Sequence, residues 1–196
     1  MNSRRLTVAT ALVIASICPL RAEENLGAYK SLTPGLAFDL ARAALNSCRS
    51  LAFQVAVAVV DRFGVTQVML RDRFAGPHTP PTATGKAWTA ASFRTSTTEL
   101  NAISQPGMMQ SGIRDLPGVV IIGGGLVVEA NGSLVAAVSV SGAPGGDADE
   151  ACARAGIDAI RDRLDFRPEQ VSGSCARIGT RRSKNRSPQR AFSVRF

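Results

Sequence analysis

Few side chains in this 196-residue chain are equipped for chemistry. His78 is its single histidine, set among prolines in "GPHTPPTATGKAW", and is the conventional candidate for a metal or an iron ligand. Asp61 ends the apolar run "FQVAVAVVD" and is the best isolated carboxylate, although Asp-Arg-Phe-Gly also reads as a type I turn. Glu99 would make an acid–base pair with His78 if the fold brought the two together. Ser141 has no evident His-Asp relay, so no reaction follows from these candidate catalytic residues. Lys86 and Arg94 stand eight apart, two helical turns, and offer charge to a carboxylate-bearing ligand; the plainer reading is surface charge. The Met108 and Met109 thioethers are ligands of last resort and otherwise packing residues.

Two glycine-rich stretches invite a phosphate or dinucleotide reading, and both refuse it. "GAPGG" (142–146) lacks the Lys-Ser/Thr ending of a phosphate loop, and Asp147, Asp149 and Glu150 beside it would repel an anion. Those acids also lack the twelve-residue calcium pattern. The stretch reads as a structural connection, with Asp149 capping or complementing the helix that follows and Glu150 reaching a partner or a cation. Gly123, Gly124 and Gly125 precede a strand, so they are no dinucleotide fingerprint. They are candidate ligand-lining positions, or points where another segment approaches closely.

The elements that must position these residues follow from periodicity. "TPGLAFDLARAALNSCRS" opens with a Thr33 cap and Pro34, and Leu36, Leu40, Ala44 and Cys48 recur on one face of a helix. "FQVAVAVVDRFG" and "VTQVMLRD" read as a hairpin. Residues 76–81 are excluded from a helix interior by their prolines, and a second helix starts after them, with Ala83, Ala87, Trp88 and Ala91 on one side. "TTELNAIS" is a short third helix. "VVIIGGGLVVEANGSLVAAVSVSG" is a strand run with a hairpin turn at Asn131-Gly132, and "GDADEACARAGIDAIRDRL" is the last helix, acidic first and basic later. The order predicts an α+β sandwich, an antiparallel sheet with helices covering one face.

Composition bounds the rest. Residues 1–22 read as a signal peptide: a basic start, the apolar "LTVATALVIASIC" and a small residue, Ala22, at the cleavage point. That run is too short to span a bilayer, so export to the periplasm or beyond is expected, not membrane insertion. The formal charge of +8 sits at the ends: residues 171–196 hold seven basic side chains and no acid, whereas residues 23–170 carry a net −2. The tail reads as a solubilising extension. One Trp and one Tyr argue against a stacking platform for nucleic acid. Cys48 and Cys152, on apolar helix faces, are expected to be disulfide-bonded in an oxidising compartment, leaving Cys175 free.

The segments "VAVAVVDRFG", "RDRF", "GKAWTAASFRTST" and "GGGLVVEANGSLVAAVSVSGAPGGDADEACARAG" resemble the family of small haem-associated domains named after GlcG and HbpS. The likeness spans roughly residues 33–165. It implies a profilin-like single domain over 23–170, assembled into dimers or larger rings, with haem the leading ligand. It also implies that haem is sometimes held by a weak oxygen ligand, which brings Thr95, Thr97 and Thr98 into view. The chain departs from the family pattern at "RDRFAGPHTPPTATGKA", where Phe74 and Ala75 stand in place of an acidic-glycine pair, so a site bordered by that loop is altered. The reading is an exported protein that binds haem or a small carboxylated molecule, between the second helix and the glycine-bearing strands and near a subunit boundary. Two others stay open: an enzyme acting on a small oxygenated catabolite through Lys86, His78 and Glu99, and a structural subunit of a periplasmic assembly.

Overall fold

The computed structural model describes residues 27–164, so the leader, Cys175 and the basic tail lie outside the described residues. Chain contacts divide it into two units, residues 1–30 and 31–196, and among the described residues the helices and strands fall in the second. The elements are α1 (Pro34–Ser50), β1 (Ala56–Asp61), β2 (Thr66–Arg71), α2 (Thr79–Phe93), α3 (Thr97–Ile103), β3 (Gly125–Ala130), β4 (Ser133–Ser141) and α4 (Gly146–Leu164). The strands form one antiparallel sheet in the order β2-β1-β4-β3. Among the described residues no helix is long and apolar enough to cross a membrane.

The α+β class stands, but helices cover both faces of the sheet. Val57, Val59, Val138 and Val140 point to the face packed by α1 and α4. Ala56, Ala58 and Ala137 point to the other face, against Ala83, Ala87, Ala90 and Ala91 of α2. This is why β1 reads as a continuous apolar run without polar alternation. Small residues on both sides of the second layer bring α2 close: a Cβ on Gly125 would lie 2.7 Å from the Lys86 carbonyl oxygen of α2. Ser139, between the alanines, satisfies its hydroxyl by donating to the Ala83 carbonyl.

Local signals fixed most boundaries. The Thr33 hydroxyl accepts from Leu36 N, and Ser96 with Glu99 closes a reciprocal cap on α3. Two expectations need correction. Helix α2 begins at Thr79, because Pro80 and Pro81 occupy its first turn, where a missing N–H costs nothing. Residues 119–124 are not strand; β3 starts only at Gly125. The proline loop is also better tied than its composition suggests. Buried Asp72 accepts from the Arg49 guanidinium and from Val55 N, and Arg71 donates to the Ala75 carbonyl. Further along, the His78 carbonyl accepts from the backbone N–H and the hydroxyl of Thr82.

Helices α1 and α4 meet where side chains are smallest. A Cβ on Gly156 would fall 2.8 Å from the Ala44 Cβ and 2.9 Å from the Leu40 carbonyl oxygen. Cys48 and Cys152, both fully buried, are disulfide-bonded across this contact with Cα atoms 5.5 Å apart. The bond closes a loop of sequence separation 104, for which the chain-entropy picture gives about 4–5 kcal/mol. Urea unfolding with and without reductant should show a loss of that order, and unfolded, unreduced protein should titrate two thiols fewer than reduced protein. Equal midpoints and equal thiol counts would refute the bond.

Candidate functional site

A cleft of about 650 Å³ opens where the start of α2, the end of β4 and the start of α4 converge. Its walls include Phe53, Phe74 and Ile122, its rim carries His78, and its floor holds Ser141, Lys86 and Asp149 below residues 142–146. The size is ordinary for a small-ligand site. Gly142 has φ +125, and a Cβ there would meet the Gln54 carbonyl oxygen at 2.8 Å, so glycine lets the chain turn off β4 against residues 54–55.

The charged centre of this region is a sealed ion pair. Lys86 is 1% exposed, and its ammonium donates to Asp149 Oδ2 at 2.8 Å, to the Gly123 carbonyl at 2.8 Å and to the Val140 carbonyl at 3.1 Å. All three of its donors are engaged. Asp149 accepts also from Ala143 N at 2.9 Å. Burial pushes the Asp149 carboxyl up from its ordinary value, while the hydrogen bond and charge of Lys86 and the N–H groups of Ala143 and Gly142 pull it down. Asp149 thus lies in the first turn of α4, where its charge complements the helix start, with its carboxylate turned inward to Lys86 and Ala143 N.

This geometry revises the residues proposed from sequence. Lys86 and Arg94 do not share a face toward a ligand: Lys86 is internal, and Arg94 ends α2 as an exposed left-handed residue with φ 55. The space between α2 and the glycine-bearing segment is closed by the protein itself. A Cβ on Gly124 would lie 2.6 Å from the Asp149 Cβ, 2.9 Å from the Val140 carbonyl oxygen and 3.2 Å from Lys86 Nζ. Thr97 is buried and its hydroxyl accepts from Gly125 N. Thr95 donates to Glu99, and that hydrogen bond first, then the Ser96 N–H, holds the Glu99 carboxyl below its usual range. Glu99 is thereby engaged in its cap and does not line the cleft with His78, so the Lys86, His78, Glu99 trio is not assembled.

Thr98 and Gly123 do come together, in a separate hollow of about 360 Å³ with Ile122 and Asp147. The Thr98 hydroxyl donates to Glu150, which also holds Arg154. Asp61 is a turn residue: one carboxylate oxygen accepts from Phe63 N and Val65 N. Met108 and Met109 are exposed on the segment after α3. Among the described residues no group of three or more His, Cys, Asp or Glu side chains is placed to hold a metal ion.

Sequence reasoning missed the pairing of Lys86 with Asp149 and the apolar walls Phe53, Phe74 and Ile122. The pair is 63 residues apart, with no spacing to betray it. Phe74 carried a signal, since it sits where the family pattern expects a polar residue. Because the pair fills its own space, Lys86→Met should cost about 3–5 kcal/mol by stranding a buried carboxylate. Gly124→Ala should cost about 1–3 kcal/mol from overpacking alone. Chemical denaturation measures both, and a loss below about 0.5 kcal/mol, the size of an ordinary surface change, would contradict the packing described.

Comparison with known proteins bears on the family and the fold. Residues 32–158 match the family model described as "Haem degrading protein HbpS-like". The chain is 36% identical over 106 residues to the corrinoid adenosyltransferase PduO of Salmonella typhimurium strain LT2, covering 53% of this chain and 32% of that protein. It therefore spans about a third of that relative's length. Among solved structures, a double mutant of HbpS from Streptomyces reticuli is 39% identical with a TM-score of 0.67, covering 78% of this chain and 99% of that one. The PduOC:heme complex is 32% identical with a TM-score of 0.63, covering 66% and 95%.

Proposed function

The chain belongs to the HbpS-like family, and on that footing we propose that it is an exported haem-binding protein that takes its ligand in the cleft beside His78. The observation that carries this reading is the combination at the cleft mouth. The His78 side chain is exposed and has no hydrogen-bond partner among the described residues, while Phe74 (77% exposed) and Ile122 (52% exposed) leave apolar surface beside it. Exposed apolar area rimming a cleft marks a binding surface. A haem there would cover Phe74 and Ile122 with its macrocycle and take the imidazole as iron ligand. Bound haem supplies redox and oxygen chemistry; the protein's part is to hold it and to limit its contact with water.

The relatives support haem as the ligand class: the matched family is described as haem degrading, and one similar structure is a haem complex. Export is supported by the signal-like start of the sequence and by the Cys48–Cys152 bond, since disulfides persist in oxidising compartments.

Hemin titrated into the purified protein should give a saturable Soret shift at micromolar concentrations. His78→Ala should weaken binding at least about ten-fold, the loss of one substantial contact, and should change the band position. No saturable shift in the parent protein would overturn the haem reading, whereas an unchanged band in His78→Ala would reject the histidine ligand. Mass spectrometry of protein from its native host should place the mature N-terminus at Glu23; retention of Met1 would reject export by this leader.

A further inference from the structure

Thr79, Thr82, Lys86 and Asp149 of the cleft lining are already engaged, while Gln54 and His78 are exposed. The Thr79 hydroxyl donates to the Gly76 carbonyl and that of Thr82 to the His78 carbonyl, and Lys86 and Asp149 satisfy each other. Ser141 is the exception on the floor. It is 5% exposed and its hydroxyl has no partner among the described residues. Ser139, two residues earlier on the same strand face, donates to α2, so the pleat turns Ser141 to that face as well, below the first turn of α2. Among the described residues the sealed, unpartnered side-chain polar atom is Gln67 Oε1, so the Ser141 hydroxyl is open to the cleft. The hydroxyl is reached from the cleft, where a ligand can supply its partner in place of water.

The first turn of α4 meets the same space. Gly145 and Gly146 line the cleft, and a Cβ on Gly145 would meet nothing within 4 Å, so the approach to the helix start is open. The opening N–H groups of a helix lack intrahelical acceptors and favour negative charge; α4 is 19 residues long. Of the two acids in that turn, Asp149 is paired with Lys86, which leaves exposed Asp147 as the charge opposing an anion.

We propose that the Ser141 hydroxyl and the first turn of α4 form a carboxylate-binding subsite of the cleft. Its ligand class rests on the haem reading only in one respect: if haem is the ligand, the subsite takes a propionate. One carboxylate oxygen accepts from Ser141 and the other faces the backbone N–H groups at the start of α4, while the apolar remainder of the ligand lies toward Phe74 and Ile122. Lys86 is not the anion partner, since its three donors are already engaged.

Two probes test this on the full-length protein. Sodium propanoate, followed by amide NMR, should shift Ser141, Gly145 and Gly146 saturably. Ser141→Ala should weaken that binding about ten-fold, the value of one hydrogen bond to a charged group. Ser141→Thr, which keeps the hydroxyl, should retain most of it, and Asp147→Asn should strengthen it. Unfolding midpoints check that each variant is folded. Hemin should bind more tightly than its dimethyl ester to the parent protein, and that preference should vanish in Ser141→Ala. If propanoate shifts these amides but hemin does not bind, the subsite stands and the haem reading falls. If propanoate leaves these amides unmoved, or Ser141→Ala binds it as the parent does, the subsite is overturned. A hemin preference over the ester that survives in Ser141→Ala likewise overturns it.

Discussion

An ammonium and a carboxylate sealed inside the unit that holds the described helices and strands govern how its parts fit. Lys86 reaches from α2 past the end of β4 to α4, and on the way binds the carbonyls of Gly123 and Val140. Asp149 in turn holds the chain leaving β4 through Ala143 N. Removing two charges from water is costly, and the cost is offset only when geometry is good and remaining donors and acceptors are filled. Here three donors meet three acceptors. The pair therefore sets the placement of four segments at once: α2, the glycine segment, the end of β4 and the start of α4.

That constraint explains the composition around it. Gly124 is glycine because Asp149 and Lys86 occupy the volume its side chain would take, and its φ of +114 is closed to most residues. Gly125 and Gly146 accept α2 and Gly123 at similarly short range. With the interior sealed, the open space is displaced to the N-terminal end of α2. The cleft there is bounded by a charged but satisfied floor, an open serine and an apolar mouth. Such a lining suits a flat apolar ligand that presents a single carboxylate better than a phosphate, whose greater charge exposed Asp147 would oppose more strongly.

The sequence carried the elements well, because their signals are local. Thr33 and Pro34 start α1, Asn131-Gly132 turns β3 into β4, and Ser96 with Glu99 caps α3. The Cys48–Cys152 bond was foreseeable from two cysteines on apolar helix faces. The site was harder to read. Lys86 looks like surface charge until Asp149 is known to lie 2.8 Å away, and nothing within 60 residues announces it. Arg94 keeps helical spacing from Lys86, yet the helix ends at Phe93 and turns it outward. The valine and alanine alternation in β1 hinted at two covered faces, but an apolar run alone does not say what covers each. Of the threonines offered as haem ligands, Thr95 donates to Glu99 within the cap of α3, whereas Thr97 and Thr98 meet Gly125 and Glu150, partners 28 and 52 residues away that no local pattern announces.

The most direct test of this account is a crystal structure of the protein soaked with hemin. It should show the macrocycle against Phe74 and Ile122, the His78 imidazole on the iron, and the Lys86–Asp149 contact intact. Haem bound elsewhere, or Lys86 drawn out of its pair to meet a propionate, would contradict the claim that the pair is framework and the cleft is the binding site.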